Sequence, residues 1–190
     1  MKNLLTIITL LVTSTILGQT NVSQEEIKVF LNKGFSTFSI DSLNIHYEKK
    51  LNEYRSSIGF HGSKYNKDLI KIAQDQSDYC LKNNVFTHFQ NGSLDKKTPW
   101  DRGEYYNCAH PVFSENLIQG ELSTSIGKFY SRKINFYDLL SLYFLENWKT
   151  SPGHNKNLLS VRNEMFALSI SMKDDNIICC MLMVSIDDDN

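Results

Sequence analysis

The apolar positions along the chain predict a series of helices. One helical pattern covers residues 41–57, and the clearest covers 69–84, where apolar positions recur at helical spacing after a capping residue, Asn66. A third helical pattern runs up to Trp148. Because a helix with one apolar stripe must bury it against another element, these helices are expected to share the core of a single domain.

A shorter helix is predicted near the N-terminus. Ser23 and Glu26 have the spacing of a capping box, apolar residues follow at helical spacing, and Gly34 would end the helix. Residues 19–42 carry too many large apolar side chains for a free linker. We therefore expect this N-terminal helical extension to pack on the domain.

The end of the chain has the pattern of a β-hairpin. Residues 164–172 alternate between apolar and polar, 174–176 favour a turn, and 177–186 form a nearly continuous apolar run. Such a run is typical of a central strand that is buried on both faces. Helices followed by a terminal hairpin predict an α+β fold.

Residues 91–110 are polar and lack a regular pattern, with proline, glycine and asparagine spread along them. We interpret them as a long loop, and long ordered loops are often binding surfaces. Trp100 and His110 are the two residues of this segment that could line a cleft.

The stretch Trp148–Leu159 joins two helices at a sharp corner. Pro152 disfavours helical geometry at Ser151, so the first helix must stop there. Ser151 suits the N-cap of a second helix, and Pro152 suits its first position, where a missing N–H is not needed. His154 then lies in the first turn of that second helix. Taken alone, this is a helix-loop-helix corner with an exposed histidine.

Four motifs occur in the order expected of one family. They are Leu51–Arg55, Thr87–His88, Ser114–Leu117 and Trp148–Leu159. Each is weak alone, but together they are specific. The chain resembles the CAP superfamily of cysteine-rich secretory proteins, antigen 5 and pathogenesis-related 1 proteins, also called SCP domains, in its bacterial-type Ser-Pro-Gly-His form. The resemblance covers residues 43–186 and implies a single-domain, three-layer α-β-α sandwich.

The resemblance also implies a cleft marked by His88, Glu115 and His154. The best-studied members carry a second glutamate three residues after the helix tryptophan, and here Ser151 occupies that position. A carboxylate held near two imidazoles can orient one ring or bind a metal directly. Zinc is the divalent ion that suits two imidazoles and one carboxylate, with water as the fourth ligand, and the single carboxylate predicts modest affinity.

We interpret the chain as a secreted, non-enzymatic module that binds a ligand or an extracellular partner in this cleft. One alternative is a hydrolase in which His88 or His154 is the base, Glu115 orients it and Ser151 is the nucleophile. Another is a lipid or sterol carrier, which would need an exposed apolar groove. The sequence contains no common hydrolase or nucleotide-binding motif. Its formal net charge of −1, without a basic stripe, argues against nucleic acid as a partner.

The two ends of the chain have their own composition. Residues 1–18 have a charged start and a short apolar run, which is typical of a signal peptide. We therefore expect a secreted or periplasmic protein without an integral membrane segment after the signal is removed. Residues 187–190 form an acidic tail that we expect to be solvated.

Four cysteines in an exported chain favour disulfides. A single bridge from Cys108 to Cys179 or Cys180 and the absence of any bridge are both open. Cys179 and Cys180 are neighbours on a predicted strand and should point to opposite faces, which argues against a bridge between them. Cys80 lies on an apolar helix face, where it could be a buried free thiol.

Overall fold

The computed structural model describes residues 22–186. The predicted signal peptide and acidic tail lie outside the described residues. The helices are α1 (Gln24–Phe35), α2 (Ile40–Ser57), α3 (Ile70–Asn83), α4 (Pro99–Tyr105), α5 (Leu122–Ser125), α6 (Phe136–Thr150) and α7 (Pro152–Leu158), and the strands are β1 (Lys64–Tyr65), β2 (Val112–Glu121), β3 (Met165–Lys173) and β4 (Asn176–Val184). None of the helices between residues 22 and 186 is long and apolar enough to cross a membrane.

The four strands form one sheet in the order β1-β3-β4-β2. β4 pairs antiparallel with both β3 and β2, and the short β1 pairs parallel with β3. Eight of the nine residues of β4 are buried, which confirms the prediction of a central strand covered on both faces.

Each face of the sheet is covered by helices and has its own core. On one side α2 and α6 pack their apolar stripes on the sheet, with Tyr47, Phe144 and Trp148 among the fully buried side chains. On the other side α3 contributes Ile72 and Ala73 to a second core. The arrangement is a three-layer α-β-α sandwich, as the family resemblance implies.

The two neighbouring cysteines of β4 lie in different cores. Cys179 belongs to the core under α2 and α6, and its neighbour Cys180 belongs to the core under α3, because successive residues of a strand point to opposite faces. All four cysteines are free thiols, and Cys80 is buried. Burial raises the pKa of the Cys179 and Cys180 thiols well above the ordinary range. None of the four cysteines forms a disulfide, so the structure agrees with the alternative without a bridge.

The capping signals of the first helices are confirmed in most details. The Ser23 hydroxyl accepts a hydrogen bond from the Glu26 amide at the start of α1. Asn66 caps a short 3₁₀ turn that leads directly into α3, and Asn84 ends α3 in the left-handed conformation. The predicted end of α1 at Gly34 is wrong, since the helix continues to Phe35. A Cβ at Gly34 would overlap the ring of Phe136, so this glycine serves close packing.

Two elements depart from the sequence-based expectation. The segment 91–110 is not irregular throughout, because it contains α4, whose N-terminus has a complete capping box between Thr98 and Asp101. Residues 112–121, for which no strand was predicted, form the long strand β2. Its buried positions include Glu115 and Asn116, and polar side chains that are buried through pairing do not register in an apolar pattern.

Candidate functional site

His88 lies in the connection that follows α3, and its backbone is fixed on both sides. The preceding carbonyl, that of Thr87, accepts hydrogen bonds from the Gln76 amide and the Cys80 thiol of α3. The carbonyl of His88 itself accepts a hydrogen bond of 3.3 Å from Nη1 of Arg102. The ring therefore projects from a backbone that cannot shift without breaking these partly buried hydrogen bonds.

Glu115 lies on β2, opposite Leu182 of β4, with a side chain that is only 1 % exposed. Both of its carboxylate oxygens are paired. Oε1 lies 2.8 Å from Nδ1 of His88, and Oε2 forms a buried ion pair with Nη2 of Arg102. The Cys180 thiol also approaches Oε2, at 3.5 Å. A buried carboxylate needs such partners, because an unpaired charge in the interior is strongly unfavourable.

Arg102, on α4, is the residue of this site that sequence reasoning missed. It is fully buried, and its guanidinium also donates to the carbonyls of His88 and Lys96. Its Nε has no hydrogen-bond partner among the described residues. The capping signal of Thr98, Pro99 and Asp101 could have identified the helix. Nothing local distinguishes Arg102 from a solvated arginine, because its role depends on β2.

The pairing with Glu115 determines which ring nitrogen of His88 donates a hydrogen bond and which is free to accept one. An ionised carboxylate can only accept hydrogen bonds, so Nδ1 of His88 must donate to it. In the neutral ring this leaves Nε2 as a free acceptor, on a side chain that is 43 % exposed. The cluster of His88, Glu115 and Arg102, called the His–Glu–Arg cluster below, thus presents one oriented acceptor to the surface.

His154 reaches the same region from α7. The Asn116 side-chain amide donates to the His154 carbonyl over 3.1 Å and accepts from Asn157 over 2.8 Å, which ties α7 to β2. Glu115 and Asn116 are adjacent on the strand, so their side chains leave it in opposite directions. Burial lowers the pKa of His154, and the nearby positive charge of a protonated His88 lowers it further. The structure therefore brings His88 and Glu115 into direct contact and places His154 close enough to His88 for their charges to interact.

Ser151 starts α7 with extended backbone, and its carbonyl accepts from the Asn155 amide over 2.8 Å. The predicted side-chain cap is wrong, because its hydroxyl makes no capping hydrogen bond. No hydrogen bond among residues 22–186 joins this hydroxyl to His88 or His154 either. The backbone thus forms the predicted corner, but the Ser151 hydroxyl does not cap the helix.

His88, His154 and Glu115 are not arranged as a three-ligand metal centre. Across the described part of the chain, no group of three or more His, Cys, Asp and Glu side chains is arranged to hold a metal ion. Both oxygens of Glu115 are engaged by His88 and Arg102, so the carboxylate would have to leave one of them to become a ligand. Zinc binding by His88, His154 and Glu115 stays a prediction.

A groove of about 370 Å³ opens beside the His–Glu–Arg cluster. It is lined by His88, Phe89, Thr98, Pro99, Trp100, Ser114 and Glu115. Two of these side chains, Phe89 and Trp100, are about half exposed, at 49 % and 50 %. Trp100 therefore lines a cleft, which is the position expected of it from the sequence. A second hollow of about 340 Å³ is lined by His110, and Trp100 lines it as well.

The sequence profile that the chain matches identifies the class of the protein. Residues 49–182 match the sequence profile of CAP, the cysteine-rich secretory protein family, and the chain belongs to that family. No curated protein matches the chain at a significant level.

Several solved structures of bacterial proteins share the fold. An outer surface protein from Borrelia burgdorferi is 17 % identical with a TM-score of 0.54, over 76 % of this chain and 92 % of that protein. An extracellular SCP-domain protein from Bacillus anthracis is 17 % identical with a TM-score of 0.52, over 85 % of this chain and 44 % of the other. The CAP domain of enterococcal PrgA is 16 % identical with a TM-score of 0.51, over 88 % and 80 %. At these identities the likeness shows the fold alone.

Proposed function

We propose that the chain is an extracellular, non-enzymatic CAP module that binds a ligand in the groove beside the His–Glu–Arg cluster. One observation carries this proposal: both oxygens of the buried Glu115 are paired, and His88 is held with one ring nitrogen free. A side chain fixed in this way loses little conformational freedom on binding, which favours recognition.

The state of the Ser151 hydroxyl argues against the hydrolase alternative. The His88–Glu115 pair could orient a general base, but a base also needs a nucleophile within hydrogen-bond reach. The Ser151 hydroxyl makes no hydrogen bond to an imidazole that could activate it. The groove offers a shaped, oriented surface without an assembled nucleophile.

Family membership and the predicted signal peptide support an extracellular location. Two of the structural neighbours carry the words "outer surface" and "extracellular" in their names. A lipid or sterol would need an almost wholly apolar groove. The lining here exposes more apolar than polar surface, but it includes His88, Glu115, Ser114 and Thr98. A ligand with both an apolar face and polar groups therefore agrees with the lining.

A thermal-shift screen tests this function. The chain from residue 19 is heated with a panel of neutral oligosaccharides, fatty acids, sterols and short peptides. A ligand at a hundred times its Kd should raise Tm by roughly 5–10 °C. The shift should disappear in His88→Ala and persist in His61→Ala, because His61 is exposed and lies outside the groove.

Two results would contradict the proposal. A panel in which no compound gives a shift that depends on His88 would remove the groove as a binding site. Turnover of a peptide or ester substrate that is lost in Ser151→Ala would replace the binding function with the hydrolase.

Zinc binding is proposed as a weak and pH-dependent property of the two imidazoles. A protonated ring cannot ligate, so affinity should fall as pH drops through the range in which the histidines protonate. Since burial lowers the pKa of His154, this ring stays available to lower pH than an ordinary histidine. Calorimetric zinc titration between pH 5 and 8, beside His88→Ala and His154→Ala, measures this. Heat that is unchanged in both variants would exclude the site.

A further inference from the structure

We infer that the groove between Phe89 and Trp100 binds an uncharged, polyhydroxylated ligand, namely a unit of a neutral carbohydrate. The inference rests on the proposed function and adds the chemical class of the ligand. It is drawn from three properties of the groove: its exposed aromatic side chains, its hydrogen-bonding groups and its charge.

Half of the exposed large apolar side chains lie in one stretch of the sequence. Among the side chains that the structure describes, twelve large apolar ones are exposed, and six of them lie within residues 85–105: Val85, Phe86, Phe89, Leu94, Trp100 and Tyr105. Exposed apolar side chains that share one groove are typical of a binding site. Phe89 and Trp100 are the two that line the groove. The C–H face of a sugar ring can bury apolar area against such aromatic rings.

The polar groups of the groove match hydroxyl groups. Nε2 of His88 is a free acceptor, because Nδ1 donates to Glu115. The Thr98 hydroxyl, on another residue of the lining, accepts from the Asp101 amide over 3.1 Å and so keeps its own proton to donate. A sugar hydroxyl can donate and accept at once, so it can satisfy either partner. One acceptor and one donor beside two aromatic rings therefore suit a polyhydroxylated molecule.

The charge of the groove favours a neutral ligand. Of its lining residues only His88 and Glu115 can carry a charge, and Glu115 is already paired with Arg102. An anionic or cationic ligand would lose hydration without gaining a free counter-charge. The volume of about 370 Å³ lies near the lower end of ligand pockets, about 300–1,000 Å³. It suits a small unit of a carbohydrate chain rather than a large apolar molecule.

Tryptophan fluorescence provides a direct test, because the sequence has two tryptophans in contrasting settings. Trp100 is 50 % exposed and Trp148 is 1 % exposed, so acrylamide should quench Trp100 selectively. The probes are oligomers of N-acetylglucosamine, glucose, xylose and mannose, added to the chain from residue 19. At least one series should protect Trp100 from quenching.

The same series should bind in calorimetry, and Phe89→Ala and Trp100→Ala should each weaken binding by about tenfold or more, which corresponds to about 1.4 kcal/mol. Phe86→Ala is the matched control. It removes an aromatic side chain that is 53 % exposed in the same segment but is absent from the groove lining, and its affinity should be unchanged.

The failures of the two proposals are distinguishable. Protection of Trp100 by a fatty acid or an apolar peptide, with no effect of any neutral oligosaccharide, would overturn the carbohydrate inference and leave ligand binding in the groove intact. Oligosaccharide binding that survives in both Phe89→Ala and Trp100→Ala would overturn the assignment to this groove. Absence of any bound oligosaccharide would also overturn the inference.

Discussion

Replacing Arg102 with alanine is expected to lower the free energy of unfolding by about 3–5 kcal/mol. The substitution leaves the carboxylate of Glu115 in the interior, 1 % exposed, without its cationic partner. The cost comes mainly from this uncompensated charge, because a buried ion pair contributes little net stability over a well-packed apolar replacement. Urea denaturation followed by circular dichroism measures the change.

Two controls separate the ion pair from a general effect of losing an arginine. The double variant Arg102→Met with Glu115→Leu removes both charges and should regain part of the stability lost in Arg102→Ala. Arg162→Ala removes an exposed arginine and should change stability by no more than about 0.5 kcal/mol.

A loss below about 1 kcal/mol in Arg102→Ala at neutral pH would show that Glu115 reaches water or another partner. The ion pair would then not define the site.

The elements that the sequence predicted well are those whose pattern is apolar and local. β3, β4 and the helices α2, α3 and α6 bury apolar stripes, and the corner at Ser151 and Pro152 depends on the stereochemistry of neighbouring residues. Local signals of this kind are present in the sequence whatever the rest of the chain does.

The elements that the sequence did not predict depend on contacts between distant residues. Glu115 and Asn116 are buried on β2 because Arg102, His88 and α7 supply their hydrogen bonds. No periodicity reveals that pairing, so β2 lacks the pattern of a strand. His88 and Glu115 were found as candidates through motifs, whereas Arg102 lies outside them. The motifs therefore named two members of the cluster, and only the fold showed the third.

The N-terminal extension presents a related case, because the family match begins at residue 49, after α1. α1 buries Ile27 and Leu31 to 5 % and 4 % exposure in the core shared with α2 and α6. Gly34 lets the ring of Phe136 approach the helix closely. By these contacts α1 is part of the folded unit rather than a flexible leader to it.

The double variant Ile27→Ala with Leu31→Ala is therefore expected to lose about 4 kcal/mol or more. Each buried Ile or Leu replaced by Ala costs about 2–5 kcal/mol, through lost apolar burial and the cavity that remains. Such a loss is a large part of the stability of a typical domain, about 5–15 kcal/mol. Thermal and urea unfolding should show one cooperative transition at a lower midpoint.

Val29→Ala is the matched control, because Val29 lies on the same helix but is 60 % exposed. Its stability should change by no more than about 0.5 kcal/mol, which separates burial from helix propensity. If the double variant instead kept the main transition and only lost helical signal at lower temperature, α1 would be an independently melting arm. A single lowered transition would mean that the CAP fold of this chain uses residues before position 49 to complete the core around α6.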